Sequence, residues 1–320
     1  MNIERHVALE ERLPGSEPQW MKWCPVLPGP LSKRAMGFGL FTLLYGAVFM
    51  AHFVRLYRFS LTQNDVPHFS LILLVSLSLL YARRQDLSNC VAYAVRAGLS
   101  LGLLGALTYL VGLALRTSLS PTDFLSITTC GSVMVWIGGF TTFFGLTATR
   151  VALFPLGFLI FVIPPPEALL YHSITALQFA SAEVTDLLFT LIDLPVLREG
   201  TSFVLPGLHI EVARECSSIR SSMALLISSV LVSHLLLRRW WSKTLVFLLV
   251  FPLAVFKNGV RIVTLSLLTI YVDTGFMHGD LHTRGGAVFF CLACVILLGI
   301  LLGLRRLERW QVLHVKSATD

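Results

Sequence analysis

Ala287-Val-Phe-Phe-Cys-Leu-Ala-Cys-Val-Ile-Leu-Leu-Gly-Ile-Leu-Leu-Gly-Leu304 runs for 18 residues without a charge or a proline, between Arg284 and the pair Arg305-Arg306. As a helix it would be about 27 Å long, close to the roughly 30 Å hydrocarbon thickness of a bilayer. A helix apolar on every face has no side to offer water, so the stretch is a transmembrane span flanked by basic residues. Six further stretches have this character: Ala35–Val54, Val66–Ala82, Ala97–Leu115, Phe124–Thr149, Val151–Ile163 and Ser221–Leu237. An eighth runs from Thr244 to about Ile262, with charge only toward its far end, at Lys257 and Arg261, and apolar character resuming to Val272. Val151–Ile163 is short and stops at Pro164-Pro165-Pro166, which cannot continue a helix. The expected fold is an all-α polytopic membrane protein of about eight transmembrane helices.

Composition agrees. Of 320 residues 55% are hydrophobic and 13% charged, and mean hydropathy is +0.75. A soluble domain carries about twice that charge, so most soluble, disordered and fibrous classes are excluded. The net charge of +7 is then a topology signal, not a nucleic-acid footprint. With the N-terminus inside and eight alternating spans, the outer segments hold Arg55, Arg58, Arg116, Arg198, Arg214, Arg220, Lys257, Arg261 and Arg284. The other 16 of the 25 basic residues fall inside, which puts both termini in the cytoplasm. The largely polar stretch 1–34 contains no apolar core of a signal peptide, so the first span is expected to act as its own insertion signal. The expected organisation is a cytoplasmic tail over 1–34, a membrane domain over 35–304 with an outer region over 164–220, and a cytoplasmic tail over 305–320.

The outer region has two parts. Glu167–Leu194 is apolar but interrupted by His172, Gln178, Glu183 and Asp186, and is expected to be an amphipathic interfacial or re-entrant helix, because a ninth span would break the parity of the charges. Val196–Val212 carries β-branched residues and turn signals at Glu199-Gly200 and Pro206-Gly207, and is expected to be a short hairpin. The six cysteines show no extracellular disulfide pattern, and only Cys216 falls at the outer face. Cys291-x-x-Cys294 has metal or redox spacing but lies in an uncharged span, where helix packing is the simpler role. Gly98-x-x-x-Gly102 and Gly299-x-x-x-Gly303 suit close helix contacts. No Gly-x-Ser-x-Gly context supports Ser217 or Ser218 as a nucleophile.

Three residue types capable of acyl chemistry gather near the outer face. Cys216 stands just before the sixth span, and a helix N-terminus with nearby cations, Arg220 among them, favours thiolate over thiol. Arg261, near the end of the seventh span, cannot lose its proton and suits stabilisation of an oxyanion; its position equally allows snorkelling to headgroups. Asn258, one turn earlier, is a candidate to orient it. His282, just before the eighth span, titrates near neutrality and can move the protons of an acyl transfer. His278 and His209 compete with it, and position alone does not choose among the three.

In order and spacing these residues resemble the exosortase/archaeosortase family of multi-span membrane proteins. The resemblance runs from about Val151 to Leu304. It rests on Phe154-Pro155 and Ile163-Pro164, on Leu177-Gln178, on Leu194-Pro-Val-Leu-Arg-Glu-Gly200 and on Leu205-Pro-Gly-Leu-His-Ile-Glu-Val212. It continues through the Cys216 motif, Asn258-Gly-Val-Arg261 and a histidine followed by glycine. The family's usual Cys-Ser-Gly is here Cys216-Ser217-Ser218, and His282, four residues before Gly286, matches the exosortase branch.

The resemblance implies a sortase-like cysteine peptidase or transpeptidase in the cytoplasmic membrane with its active site on the outer face. Cys216, Arg261 and His282 would be catalytic, with Asn258, Arg220 and His278 supporting. Its substrates would be secreted proteins with a C-terminal signal of the PEP-CTERM type: a short Pro-Glu-Pro-like motif, one transmembrane helix and a basic tail. Besides these the expected partners are membrane lipids and not nucleic acid; no metal or organic cofactor is called for. The alternative is a non-catalytic transporter or assembly protein for exopolysaccharide export, which requires charged residues facing one another deep within the spans.

Overall fold

The computed structural model describes residues 31–62, 69–89, 93–205, 208–212, 219–273 and 286–317. Contacts divide the chain into two units that meet in sequence at Pro165 and Pro166.

The first unit is helical. Its elements are α1 (Leu31–Val48), α2 (Met50–Thr62), α3 (Phe69–Ala82), α4 (Arg84–Asn89), α5 (Val95–Ala114), α6 (Pro121–Val151), α7 (Leu153–Phe158) and a 3₁₀ turn over Leu159–Val162. Ser120 starts α6: its hydroxyl accepts the backbone N–H of Asp123 at 3.1 Å, and Pro121 fits the first helical position because it has no N–H to lose. Within α6 Gly145 takes φ +88°, a value that strains any residue with a Cβ, so the helix is kinked there. Thr149 steadies the kink, donating to the Gly145 carbonyl at 2.9 Å.

α5 and α6 pack backbone against backbone. Gly98, Gly105 and Gly112 recur every seven residues along α5. A Cβ on Gly105 would lie 2.7 Å from the Gly131 carbonyl, and one on Gly138 would lie 2.6 Å from the Gly102 amide. Small residues give such helices dispersion contact that larger side chains would prop apart. Gly98 and Gly102 both lie against Gly138 of α6, as their four-residue spacing suggests, and the close contact runs on through Gly105 and Gly112; a Cβ on Gly102 itself would point into open space. A Cβ on Gly299 or Gly303 would likewise meet nothing within 4 Å. On α1, Phe38 packs among Phe41, Trp136, Phe140, Phe143 and Phe144.

The second unit contains α8 (Glu167–Leu191), strands β1 (Leu197–Glu199), β2 (Ser202–Leu205) and β3 (Leu208–Glu211), then α9 (Ile219–Leu236), α10 (Trp240–Tyr271) and α11 (Gly286–Ser317). Where a hairpin is expected, the chain thus holds a three-stranded antiparallel sheet in the order β1-β2-β3, one strand more. Gly200, at φ +65°, makes the tight turn between β1 and β2. Period-two alternation turns Phe203, Leu205 and Ile210 inward, where with Val212 they form one core with Ala182 and Phe189 of α8 and Ile262 and Val263 of α10. A second core joins α8, α9, α10 and α11 through Ile174, Leu177, Leu225, Val250, Ala254 and Leu297.

Among the described residues four helices are long and apolar enough to cross a membrane (α5, α6, α10 and α11), or up to six spans are counted if two interrupted helix pairs each make one. An all-α membrane architecture with a small sheet stands; a count of eight is more than helix length establishes. Ala35–Val54 is not one straight span, because the chain bends by 66° between α1 and α2 and stays helical to Thr62. Val151–Ile163 is not one straight helix: past the end of α6 it is α7 and the 3₁₀ turn, too short to span alone and counting toward a span only as part of an interrupted pair with α8, because the prolines between them lack the donors a continuing helix needs. Ser70–Ala82 and Ser221–Leu236 are shorter apolar helices.

Candidate active site

Three of the residues singled out above, Cys216, His282 and His278, lie outside the described residues, as do Ser217 and Ser218. Arg220 is in the first turn of α9. The described part of the site is built on α8, the end of the sheet, and α9 to α11.

α10 is its axis. At 32 residues it is about 48 Å long, well beyond a bilayer's hydrocarbon core. Lys257, Asn258 and Arg261 are 3%, 1% and 9% exposed, so all three are buried in a helix whose composition is otherwise largely apolar. Arg261 stands ten residues, about 15 Å, before the end of α10. A sequence window reads a charge as the edge of an apolar stretch; here the helix continues through Ile262–Tyr271 because Ile262 and Val263 are taken up by the sheet core.

Two of them, Asn258 and Lys257, are each met by a polar group from a neighbouring helix. Asn258 Nδ2 donates to Ser181 Oγ on α8 at 3.0 Å, and Asn258 Oδ1 is buried with no hydrogen-bond partner among the described residues. Lys257 Nζ donates to Ser221 Oγ at the start of α9. Between these two bonds α8 presses onto Gly259, where a Cβ would stand 2.7 Å from Val184 Cγ1, so glycine is what lets the helices approach. On the face of α8 that carries Ser181, one turn earlier, Gln178 Nε2 donates to the Val212 carbonyl at 3.0 Å. Val212 is also tied to the sheet, its N–H bonding the Thr201 carbonyl at 3.0 Å.

The outcome is a bracket around the cysteine segment. Val212, four residues before Cys216, is held on α8, and Ser221, five residues after it, is held on α10 one turn before Arg261. On the far side, Cys294 of α11 is within electrostatic reach of the Lys257 ammonium. The sheet is further fastened to α8 by Arg198, which bonds Glu183 at 2.6 Å and Asp186 at 3.3 Å. His209, on β3 opposite Val204, is exposed. Cys291 and Cys294 sit on α11, and the described residues contain no cluster able to hold a metal ion.

The family model for Transmembrane exosortase (Exosortase_EpsH) matches residues 60–299. The chain belongs to the transmembrane exosortase family. The exosortase match begins far upstream of Val151 and takes in most of the first unit, which as a set of apolar spans carries little family signal to the eye. It also covers every element of the bracket, from α8 to the first half of α11. Against curated proteins and solved structures the chain has no significant match.

Sequence reasoning named Arg261 and Asn258 but gave no role to Lys257, Gln178, Ser181 or Ser221. A signal was present. Gln178, Ser181 and Thr185 follow one another at three and four residues along α8, a polar line on one face of an apolar helix. Lys257 and Arg261 are four apart on α10, so they share a face. What sequence could not supply is which partner each meets: Asn258 meets Ser181 on α8, and Lys257 meets Ser221 on α9.

Proposed function

We propose that this exosortase is a membrane-embedded, sortase-like cysteine peptidase or transpeptidase that cleaves C-terminal sorting signals of secreted proteins through Cys216, Arg261 and His282. The observation that carries the reading is the bracket: hydrogen bonds anchor the chain four residues before and five residues after Cys216, the later anchor one turn from the buried Arg261. An extended chain advances about 3.5 Å per residue, so the Cys216 Cα cannot stray more than about 14 Å from that of Val212 or about 18 Å from that of Ser221. His282 is four residues from the start of α11, which packs on both α9 and α10. The surplus length of α10, if it lies at the C-terminal end, raises Arg261 toward the outer membrane surface, where a substrate's cleavage motif would emerge.

In this mechanism the Cys216 thiolate attacks the scissile carbonyl and the electron pair passes to the carbonyl oxygen. The Arg261 guanidinium stabilises that oxyanion. As the C–N bond breaks, His282 gives a proton to the leaving amine, and a thioester remains on Cys216. The same histidine then takes a proton from water or from an acceptor nucleophile, which releases the acyl group. Asn258 holds α8 against α10 beside Arg261, and Arg220 adds positive charge at the N-terminal end of α9.

The test is processing of a tagged secreted protein ending in a Pro-Glu-Pro-like motif, one transmembrane helix and a basic tail. Cys216→Ala and His282→Ala should abolish or nearly abolish it, Arg261→Ala should slow it about 10²–10³-fold, and His278→Ala should leave it nearly intact. Full processing by Cys216→Ala would sink the proposal. The burial of Lys257 and Arg261 is also what a transport path needs, and that second reading expects Cys216→Ala to retain function.

A further inference from the structure

Lys257 is the most expensive residue in α10. Its side chain is 3% exposed in a helix that is otherwise apolar over most of its length. Burying an ammonium costs several kcal/mol even after relaxation, whereas a methionine of similar length would fill the space without that cost. Its hydrogen-bond partner, Ser221, is neutral. The charged and titratable groups facing it are Arg261, a like charge on the same helix face, and Cys294 from α11. Like charges four apart repel. Among the described residues no carboxylate offsets the Lys257 charge. A buried cation beside a second cation, bonded among the described residues to a hydroxyl, is suited to a site where negative charge forms during a reaction.

We propose that Lys257 is a positioning residue for the reaction at Cys216, a role that rests on the cysteine-peptidase reading above. Through Ser221 it pins the first turn of α9, and with it the end of the cysteine segment, to α10 one turn before Arg261. With Arg261 and the N-terminal end of α9 it also supplies a positive field that favours the thiolate. A neutral side chain of the same length keeps the packing and loses both effects. Arginine keeps the charge and a donor to Ser221.

The experiment measures the pH profile of Cys216 alkylation by iodoacetamide, in a full-length background with the other five cysteines replaced, together with kcat and KM for the tagged sorting-signal protein. Lys257→Met should move the alkylation profile to higher pH and slow alkylation at pH 7 about tenfold. It should lower kcat about tenfold with little change in KM, and Lys257→Arg should recover most of the loss. Ser221→Ala, which removes only the hydroxyl, should lower kcat severalfold and provides the readout if Lys257→Met does not fold. An unchanged profile and kcat in Lys257→Met, or in Ser221→Ala where the lysine variant fails to fold, overturns the role. A Lys257→Arg variant as slow as Lys257→Met overturns it too. Cys216→Ala run alongside separates the two levels: if that variant is inactive while Lys257→Met is normal, only the role of Lys257 falls; if Cys216→Ala is active, the peptidase reading falls.

Discussion

At the scale of single residues, the account turns on polar side chains in an apolar surrounding. Arg261 is assigned to an oxyanion, and a guanidinium presents several donors in a fixed plane where an ammonium presents a point charge. Arg261→Lys should therefore lose at least tenfold in kcat although the charge is kept, and single-turnover kinetics on the tagged substrate would show it; wild-type kcat in this variant would contradict the assignment. Gln178 is outside the chemistry but holds Val212. Gln178→Leu preserves volume and removes the bond, so thermal stability in detergent should fall by about 1 kcal/mol while processing falls severalfold, because the upstream anchor of the cysteine segment is lost. Of these groups, Cys216, Arg261 and Asn258 were legible in sequence, since each stands out chemically against its neighbours. Gln178, Ser181 and Ser221 were not, because an amide or a hydroxyl in an apolar helix is common and gains meaning only when another helix brings its partner to it.

Among the elements, composition marked the apolar stretches correctly and their ends poorly. The reasons are local and physical. α10 outlasts its hydropathy window because its charges are sheltered by α8, α9 and α11. α1 and α2 differ from one span by a single bend of 66° that no proline announces. The close approach of α5 and α6 includes the Gly98–Gly102 pair, which meets Gly138, and extends along a seven-residue glycine repeat through Gly105 and Gly112 that the short spacing alone does not announce. Gly105→Leu should destabilise the first unit by more than the roughly 1–3 kcal/mol of ordinary overpacking, since the new side chain meets backbone that cannot turn aside; Gly102→Ala should be neutral. Detergent melting curves of the two variants make the comparison. In the sheet, the buried Phe203 against Phe189 outweighs the exposed Arg198–Glu183 pair. Phe203→Ala should cost about 3–5 kcal/mol, and Arg198→Gln should be close to neutral and insensitive to salt.

For the whole molecule, the scarcity of charge set the class, and the distribution of the few charges sets the expected orientation. Sixteen of 25 basic residues fall on the side assigned to the cytoplasm. In a cysteine-free background, Glu199→Cys should therefore react with a membrane-impermeant maleimide in intact cells, and Trp310→Cys only after the membrane is opened. The reverse pattern would place the sheet and the bracket inside and remove the active site from the face where secreted substrates arrive. The first unit lies outside the bracket described here yet within much of the family match, which marks it as part of what makes an exosortase. The claim on which the rest depends is covalent catalysis by Cys216. It is tested most directly by trapping the acyl-enzyme: the tagged substrate is incubated with membranes containing the protein, quenched in acid, and analysed by peptide mass spectrometry with and without hydroxylamine. The account predicts a hydroxylamine-labile adduct of the processed substrate on the Cys216 peptide, absent from Cys216→Ala; turnover with the Cys216 peptide unmodified, or the same adduct formed by Cys216→Ala, would contradict it.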